Sequence, residues 1–287
     1  MANLKEIRSR ISSVGSTMQI TNAMKMVSAA KLKKAQDAII QMRPYANKLR
    51  ELMDNVSASM DEEVGGDFTQ KREVRNVLII AITSNRGLAG AFNTNVIKDV
   101  IRLAKEDYAG KKVSYLTIGK KANDMVKKEH TVYKNESHLW DDFNFKNSSD
   151  IADQVMEAFK NKEFDEVRLV YNHFKNAANQ DVLNEAFLPI SIDTNQEVET
   201  SVDYIFEPNK VEILMELIPK TLKTQLYKAL LDSNASEHGA RMTAMHKATD
   251  NAAELEKALK LQYNKARQAA ITNEILEIVG GADALDG

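Results

Sequence analysis

The sequence predicts an α/β protein: two long terminal helices paired as an antiparallel coiled coil, with a small α/β head between them. Three observations carry that prediction. Apolar residues recur every three or four positions at Leu4, Ile7, Ile11, Val14, Met18, then Leu32, Ala35, Ile39, Met42, Ala46, Leu49, Met53, Val56 and Met60. A three-four spacing held this long is a coiled-coil seam. The same alternation returns near the C-terminus at Met245, Ala248, Ala252, Leu255, Leu259, Gln262, Ala266, Ala269, Asn273 and Leu276. Between the two stretches the pattern changes to short apolar runs separated by turns, the mark of strands in a sheet.

The first arm is expected over 1–60. Asn3 is a fitting N-cap with Glu6 at the capping-box position. Thr21, Lys25 and Ser28 interrupt the seam without shifting its phase. Pro44 removes one helical hydrogen bond, but the seam passes it in phase from Met42 to Ala46, so a kink is expected and not an end. Asp61-Glu62-Glu63-Val64-Gly65-Gly66 closes the arm.

The head is expected over 74–195. Asn76-Val77-Leu78-Ile79-Ile80-Ala81-Ile82 is a continuous apolar run, as in a strand covered on both faces. The turn Ser84–Gly90 leads into a helix near 93–107. Val113–Ile118 is a second strand, followed by a helix over 119–129. Residues 148–161 read as a helix with Ile151, Val155, Met156 and Phe159 on one face. Glu166–Tyr171 and Val182–Ile190 complete the strands. Strand and helix alternate, which predicts a mostly parallel, Rossmann-like sheet.

The second arm is expected over 208–287, from the allowed first-turn proline Pro208 to the stop Gly280-Gly281. Pro219 predicts a kink or break. This arm is longer than the first. In an antiparallel pair rooted in one head, the longer arm overhangs as a single helix, roughly 268–287 by that count. The overhang carries Ile271, Ile275, Leu276, Ile278 and Val279, an apolar tip that needs another protein around it.

Composition excludes several classes. The chain has 287 residues, a net charge of −2 and no cysteine, so disulfides and thiolate metal sites are excluded. Residues 1–59 carry ten Lys/Arg against four Asp/Glu. A nucleic-acid reading of that basic arm wants interleaved aromatics, and only Tyr45 is present. The basic face reads either as a solvated coiled-coil flank or as steering against an acidic protein partner. No apolar run reaches the roughly 20 residues needed to span a bilayer, and no signal or transit peptide is expected. The turn at 84–90 sits where phosphate loops sit, but it matches neither the dinucleotide fingerprint nor a P-loop, and reads as a tight strand-to-helix turn. His130, His138, His173, His238 and His246 are scattered, without metal-ligand spacing. Asp141-Asp142 has no nucleophile or pocket beside it. No catalytic residue, cofactor site or metal site is expected. The stretch Ile20–Ala30 is apolar nearly all round through Met24, Met26, Val27, Ala29 and Ala30. Such a helix is either packed on a second helix or enclosed by a surrounding collar.

These residues carry a resemblance. Thr17-Met18-Gln19-Ile20-Thr21-Asn22-Ala23-Met24-Lys25-Met26-Val27, with Ala30-Lys31-Leu32, resembles the N-terminal helix of the F-type ATP synthase gamma subunit. So does Gly87-Leu88-Ala89-Gly90-Ala91-Phe92-Asn93. The most specific match is C-terminal: Arg241-Met242, Ala244-Met245, Ala248-Thr249-Asp250-Asn251-Ala252, Tyr263-Asn264-Lys265-Ala266-Arg267-Gln268 and Ile271-Thr272-Asn273-Glu274, with Glu277, Gly281 and Ala282.

The resemblance implies a central rotor shaft inside a ring of three alpha and three beta subunits, resting on the epsilon subunit and the membrane c-ring. It implies that proton-driven rotation cycles the beta sites through ATP synthesis, while this subunit supplies no catalytic residue. Met24, with Lys25 beside it, Arg241, Gln268 and Thr272 are then placed where the shaft meets loops of beta. The tip residues Ile271, Ile275, Leu276, Ile278 and Val279 lie in a sleeve. The implied location is the cytoplasmic face of the bacterial inner membrane, held peripherally. The family often has Asp where Asn85 stands and Cys where Ala89 stands. It often has Lys near Gln19 or Ile20 and at Asn22, so the collar carries less charge here. The alternative is an α/β enzyme that dimerises through helical arms; it requires a pocket of converging polar groups. A coiled-coil tether would explain the basic arm but not the head.

Overall fold

The computed structural model describes residues 4–58, 66–70, 72–190 and 209–283. Asn3, Asp61-Glu62-Glu63, the expected end of the first arm and Pro208 lie outside the described residues. The elements follow in the order α1 (Leu4–Ala58), β1 (Asn76–Ile82), α2 (Phe92–Lys105), β2 (Lys112–Ile118), α3 (Lys120–Val126), β3 (Thr131–Asn135), α4 (Phe145–Lys160), β4 (Glu166–Phe174), β5 (Gln180–Leu188) and α5 (Lys210–Asp283). Short 3-10 turns lie at Gly66–Phe68 and Ser137–Asp141. The chain falls into two compact units, Met1–Ser28 with Met242–Gly287, and Ala29–Arg241.

In the first unit two helical segments pair along a seam. Ile7, Thr21 and Ser28 of α1 are buried, as are Met245, Ala252 and Leu259 of α5. Thr21 Oγ1 meets Thr249 Oγ1 at 2.8 Å. Counting outward from that pair in opposite directions sets Ile11 level with Leu259 and Leu4 level with Ala266. The burial follows this register: α5 is half-buried at Tyr263 and Ala266 and exposed from Arg267 onward.

The structure corrects two expectations in this seam. Thr21 and Ser28 do not interrupt it; they are in it. Each buried hydroxyl finds a partner: Thr21 Oγ1 lies 3.1 Å from Met18 O as well as against Thr249, and Ser28 Oγ donates to Met24 O at 2.8 Å, so burial leaves neither without one. On α5 the seam runs through Thr249, Glu256 and Tyr263, whereas Leu255 is 51% exposed and Gln262 is exposed. Side-chain polarity misled the assignment by one position, because threonine and glutamate bring enough aliphatic surface to line a helix pair.

In the second unit a five-stranded sheet has the order β3-β2-β1-β4-β5. β1 pairs in parallel with both β2 and β4, β2 pairs in parallel with β3, and β5 closes the edge antiparallel to β4. This is the doubly wound order with an antiparallel edge. Alternate side chains of β1 serve opposite faces. Leu78, Ile80 and Ile82 pack with Ile151, Val155 and Phe159 of α4 and with Leu214, Leu222, Leu226 and Leu230 of α5. Val77, Ile79 and Ala81 pack with Val96, Val100 and Leu103 of α2 and with Ala122 and Val126 of α3. Coverage on both faces is why β1 reads as an unbroken apolar run.

The ends of the elements have local causes. α5 opens on Asn209, whose Oδ1 accepts from Glu212 N at 2.9 Å while its Nδ2 donates to Glu212 Oε1 at 2.9 Å. α4 opens on Asn144, which accepts from Asn147 N. Pro44 lies inside α1 and Pro219 inside α5, and both helices continue through them. The expected stop at Gly280-Gly281 is also passed, since α5 runs to Asp283. Gly119 adopts φ 122°, and a Cβ there would collide with the Thr83 carbonyl, so the β2–α3 turn admits only glycine.

Candidate partner-contact surfaces

The tip of α5 exposes five large apolar side chains among the described residues. Ile271 is 48% and Ile278 67% exposed, and Ile275, Leu276 and Val279 lie between those limits. Positions 271, 275, 278 and 279 stand at i, i+4, i+7 and i+8, which is one stripe roughly 100° wide. Gln268 and Thr272 fall in the same stripe and are exposed. Thr272 Oγ1 donates back to Gln268 O at 2.9 Å, so its hydroxyl is satisfied within the helix. Glu277 lies on the opposite side by the same periodicity, and Glu274, three after Ile271 and four before Ile278, flanks the stripe. The tip is therefore an amphipathic helix with an apolar stripe bordered and backed by acidic residues.

On α1, the stretch from Ile20 to Val27 presents a second apolar surface. Its seam side is occupied by Thr21, Lys25 and Ser28, with Met24 and Lys25 half-buried. Its outer side leaves Ile20 at 61%, Met26 at 59% and Val27 at 58% exposed. Packing on a second helix thus accounts for one face of this stretch and leaves the other open.

Arg241, expected where the shaft meets beta, has partners within its own chain. It is 7% exposed. Its Nη1 donates to Glu237 Oε1 at 2.6 Å, and its Nη2 donates to the carbonyl oxygens of Arg86 and Gly87, each at 3.3 Å. Burial raises the Glu237 carboxyl above its usual range, against the pull of Arg241. The neighbouring His238 is pushed down to about 4, first by burial and then by Arg241 and Lys31.

The turn that Arg241 grips is tightly tied. Ser84 N donates to Asn93 Oδ1 at 2.9 Å and Ser84 Oγ to Arg86 O at 2.6 Å. Asn85 Nδ2 donates to Ser137 O, and Asn85 Oδ1 accepts from Lys120 N. Leu88 and Gly90 take positive φ. The side chains of Ser84 and Asn85 are spent on holding the shape of this turn. Further along α5, Asp232 is buried against His173, with Nδ1 to Oδ2 at 3.0 Å. Among the described residues no group of three His, Asp or Glu is placed to hold a metal ion.

Comparison with known proteins settles the family. A family model described as ATP synthase matches residues 3–285. The chain is 62% identical to the ATP synthase gamma chain of Christiangramia forsetii and 63% identical to that of Flavobacterium johnsoniae, each over the full length of both chains.

The chain belongs to the ATP synthase gamma-chain family.

Solved structures agree in fold. The chain matches one from the central stalk and c-ring of the Tetrahymena thermophila mitochondrial ATP synthase at 27% identity and a TM-score of 0.60, covering 80% of this chain and 99% of that one. It matches one from the OSCP/F1/c-ring assembly of the Euglena gracilis mitochondrial ATP synthase at a TM-score of 0.68 and 22% identity, covering 98% and 94%. As a gamma chain it has the central-stalk role in the rotary motor of ATP synthesis, in a membrane-associated complex. Among the described residues no helix is long and apolar enough to cross a membrane.

The gamma-chain resemblance singles out five contact residues. Gln268 and Thr272 are exposed on the tip stripe, Met24 and Lys25 are half-buried beside the seam, and Arg241 is turned inward. What sequence reading missed is the set of internal partners of Arg241. The signal available was its spacing from Glu237, i to i+4 on one helix, which pairs opposite charges.

Proposed function

We propose that this gamma chain couples rotation of a membrane c-ring to nucleotide cycling in a surrounding ring of three alpha and three beta subunits, with epsilon at the head, and that it carries no catalytic residue of its own. The carrying observation is the unpaired end of α5. Burial stops at Ala266, yet the helix continues to Asp283 with Ile271, Ile275, Leu276, Ile278 and Val279 on its surface. Apolar side chains in such a stripe favour a partner that encloses them.

Gln268 and Thr272 share the stripe and are read as polar contacts to beta within the sleeve. Met24 and Lys25, with the exposed Ile20 and Val27 around them, are read as the collar. Arg241 is assigned no direct contact, because it is buried and three of its five N–H donors are engaged within the chain. The working location is the cytoplasmic face of a bacterial inner membrane, reached through the c-ring and not through a span of its own.

The test replaces Ile275 and Ile278 together by Asp. Both are exposed, so the melting of the isolated chain should hold. Assembly with alpha and beta subunits should weaken about a hundredfold or more, since each enclosed isoleucine contributes roughly 1.5–3 kcal/mol. Unchanged assembly would remove the sleeve from the reading. Copurification of alpha, beta and epsilon with the unmodified chain checks the partners themselves.

A further inference from the structure

The joint between α5 and the sheet changes character along the helix. Leu214, Ile218, Leu222, Leu226 and Leu230 meet the sheet through apolar contact. From Asp232 onward the contacts are polar and directional. Asp232 meets His173 at the end of β4. Ser236 Oγ donates to Asn172 O at 3.1 Å, and Asn172 Nδ2 donates to Phe92 O at 3.1 Å, linking α5 through β4 to the start of α2. At Gly239 the helix passes so close to the β4–β5 loop that a Cβ would lie 3.2 Å from Ala177 Cα. Arg241 closes the series on the turn after β1.

An apolar joint resists separation but lets ridges slide, because dispersion contacts carry no direction. Hydrogen bonds to fixed carbonyls lose their energy on a small rotation. A guanidinium suits such a directional joint, because its planar fork holds Glu237 on one nitrogen and two consecutive carbonyls on the other. Ala89 and Phe92 pack with Ala240 beside it, adding an apolar contact to the polar ones.

We infer that Arg241 is a positioning residue that locks the Ser84–Gly90 turn to α5, so that the head and this part of the helix turn together under load. This rests on the central-stalk reading. The role is one of coupling, and Arg241 touches no reacting atom.

The experiment uses the assembled ATP synthase in inverted membrane vesicles. Arg241→Lys keeps the charge beside buried Glu237 but cannot span both carbonyls. Arg241→Gln combined with Glu237→Gln removes both charges and so avoids stranding a buried carboxylate. Two readouts are taken: amide hydrogen exchange over 84–90, and protons pumped per ATP hydrolysed. In both variants exchange over 84–90 should rise about tenfold while the β1 amides keep their protection, as expected for losing charge-assisted bonds locally. Pumping per ATP should fall while hydrolysis continues.

Unchanged exchange overturns the lock. Faster exchange with undiminished pumping per ATP also overturns it, because the bonds would then hold the turn without bearing load. A wild-type chain that fails to support coupled pumping overturns the central-stalk reading and this inference with it. A coupled wild type with equally coupled variants overturns this inference alone.

Discussion

His238 offers a test that reads the buried joint through pH. It lies on α5 beside the Glu237–Arg241 pair, and its Nδ1 is buried without a hydrogen-bond partner among the described residues. Burial, then the positive charges of Arg241 and Lys31, depress its pKa from an ordinary 6.5 to about 4. Between those values the unfolded chain binds a proton that the folded chain refuses. Stability from this group is therefore whole above pH 6.5 and is lost as pH falls toward 4. Asp232 and Glu237 work in the opposite sense, since burial raises both carboxyls and acidification relieves them. The total pH profile mixes these contributions, so the informative quantity is a difference between variants. His238→Leu keeps a similar volume and removes both the titration and the orphaned nitrogen. At pH 7 the variant should be neutral or more stable by about 1 kcal/mol, because an unsatisfied buried polar atom is gone. At pH 5 the advantage should widen by about 1–2 kcal/mol: 1.5 pH units below 6.5 at roughly 1.4 kcal/mol each, discounted for the solvent that still reaches the ring. Urea denaturation of the full chain at both pH values gives the two differences. Parallel pH profiles for wild type and variant would show that His238 is not held neutral by its surroundings, and the account of the joint as a desolvated site would fall.

Two further outcomes follow from the fold. Gly119→Ala should destabilise the chain by about 3 kcal/mol or more, seen as a lowered melting temperature or loss to the insoluble fraction, because its Cβ meets the Thr83 carbonyl at a backbone conformation that L residues avoid; a variant that melts like wild type would contradict the turn geometry. In the helix pair, a double-mutant cycle of Thr21→Val and Thr249→Val should yield a coupling energy of about 1 kcal/mol in thermal unfolding, as expected for one hydrogen bond between helices; additivity would mean that the 2.8 Å contact sets no register.

The sequence was most legible where one physical demand acted alone. β1 had to be apolar on both faces, and a run of seven such residues follows. The first arm had to keep a stripe toward a partner, and its spacing survives through Pro44. Legibility fell where two demands were met by one residue. Thr21 lines the seam and also bonds across it, so it looked like an interruption. Glu256 half-buries its stem while Leu255 faces outward, so hydrophobicity alone set the phase one residue off. β3 escaped notice because an edge strand needs little apolar surface: Thr131, Tyr133, Lys134 and Asn135 are exposed, and only Val132 is half-buried. The tip was legible as an excess of apolar side chains over available partners, a mismatch of lengths that needs no tertiary knowledge. Arg241 was not, since a guanidinium bonded to a partner's carboxylate and one bonded to its own chain's carbonyls share one sequence signature. Only the fold, by bringing the carbonyls of Arg86 and Gly87 to α5, shows that this guanidinium has partners in its own chain.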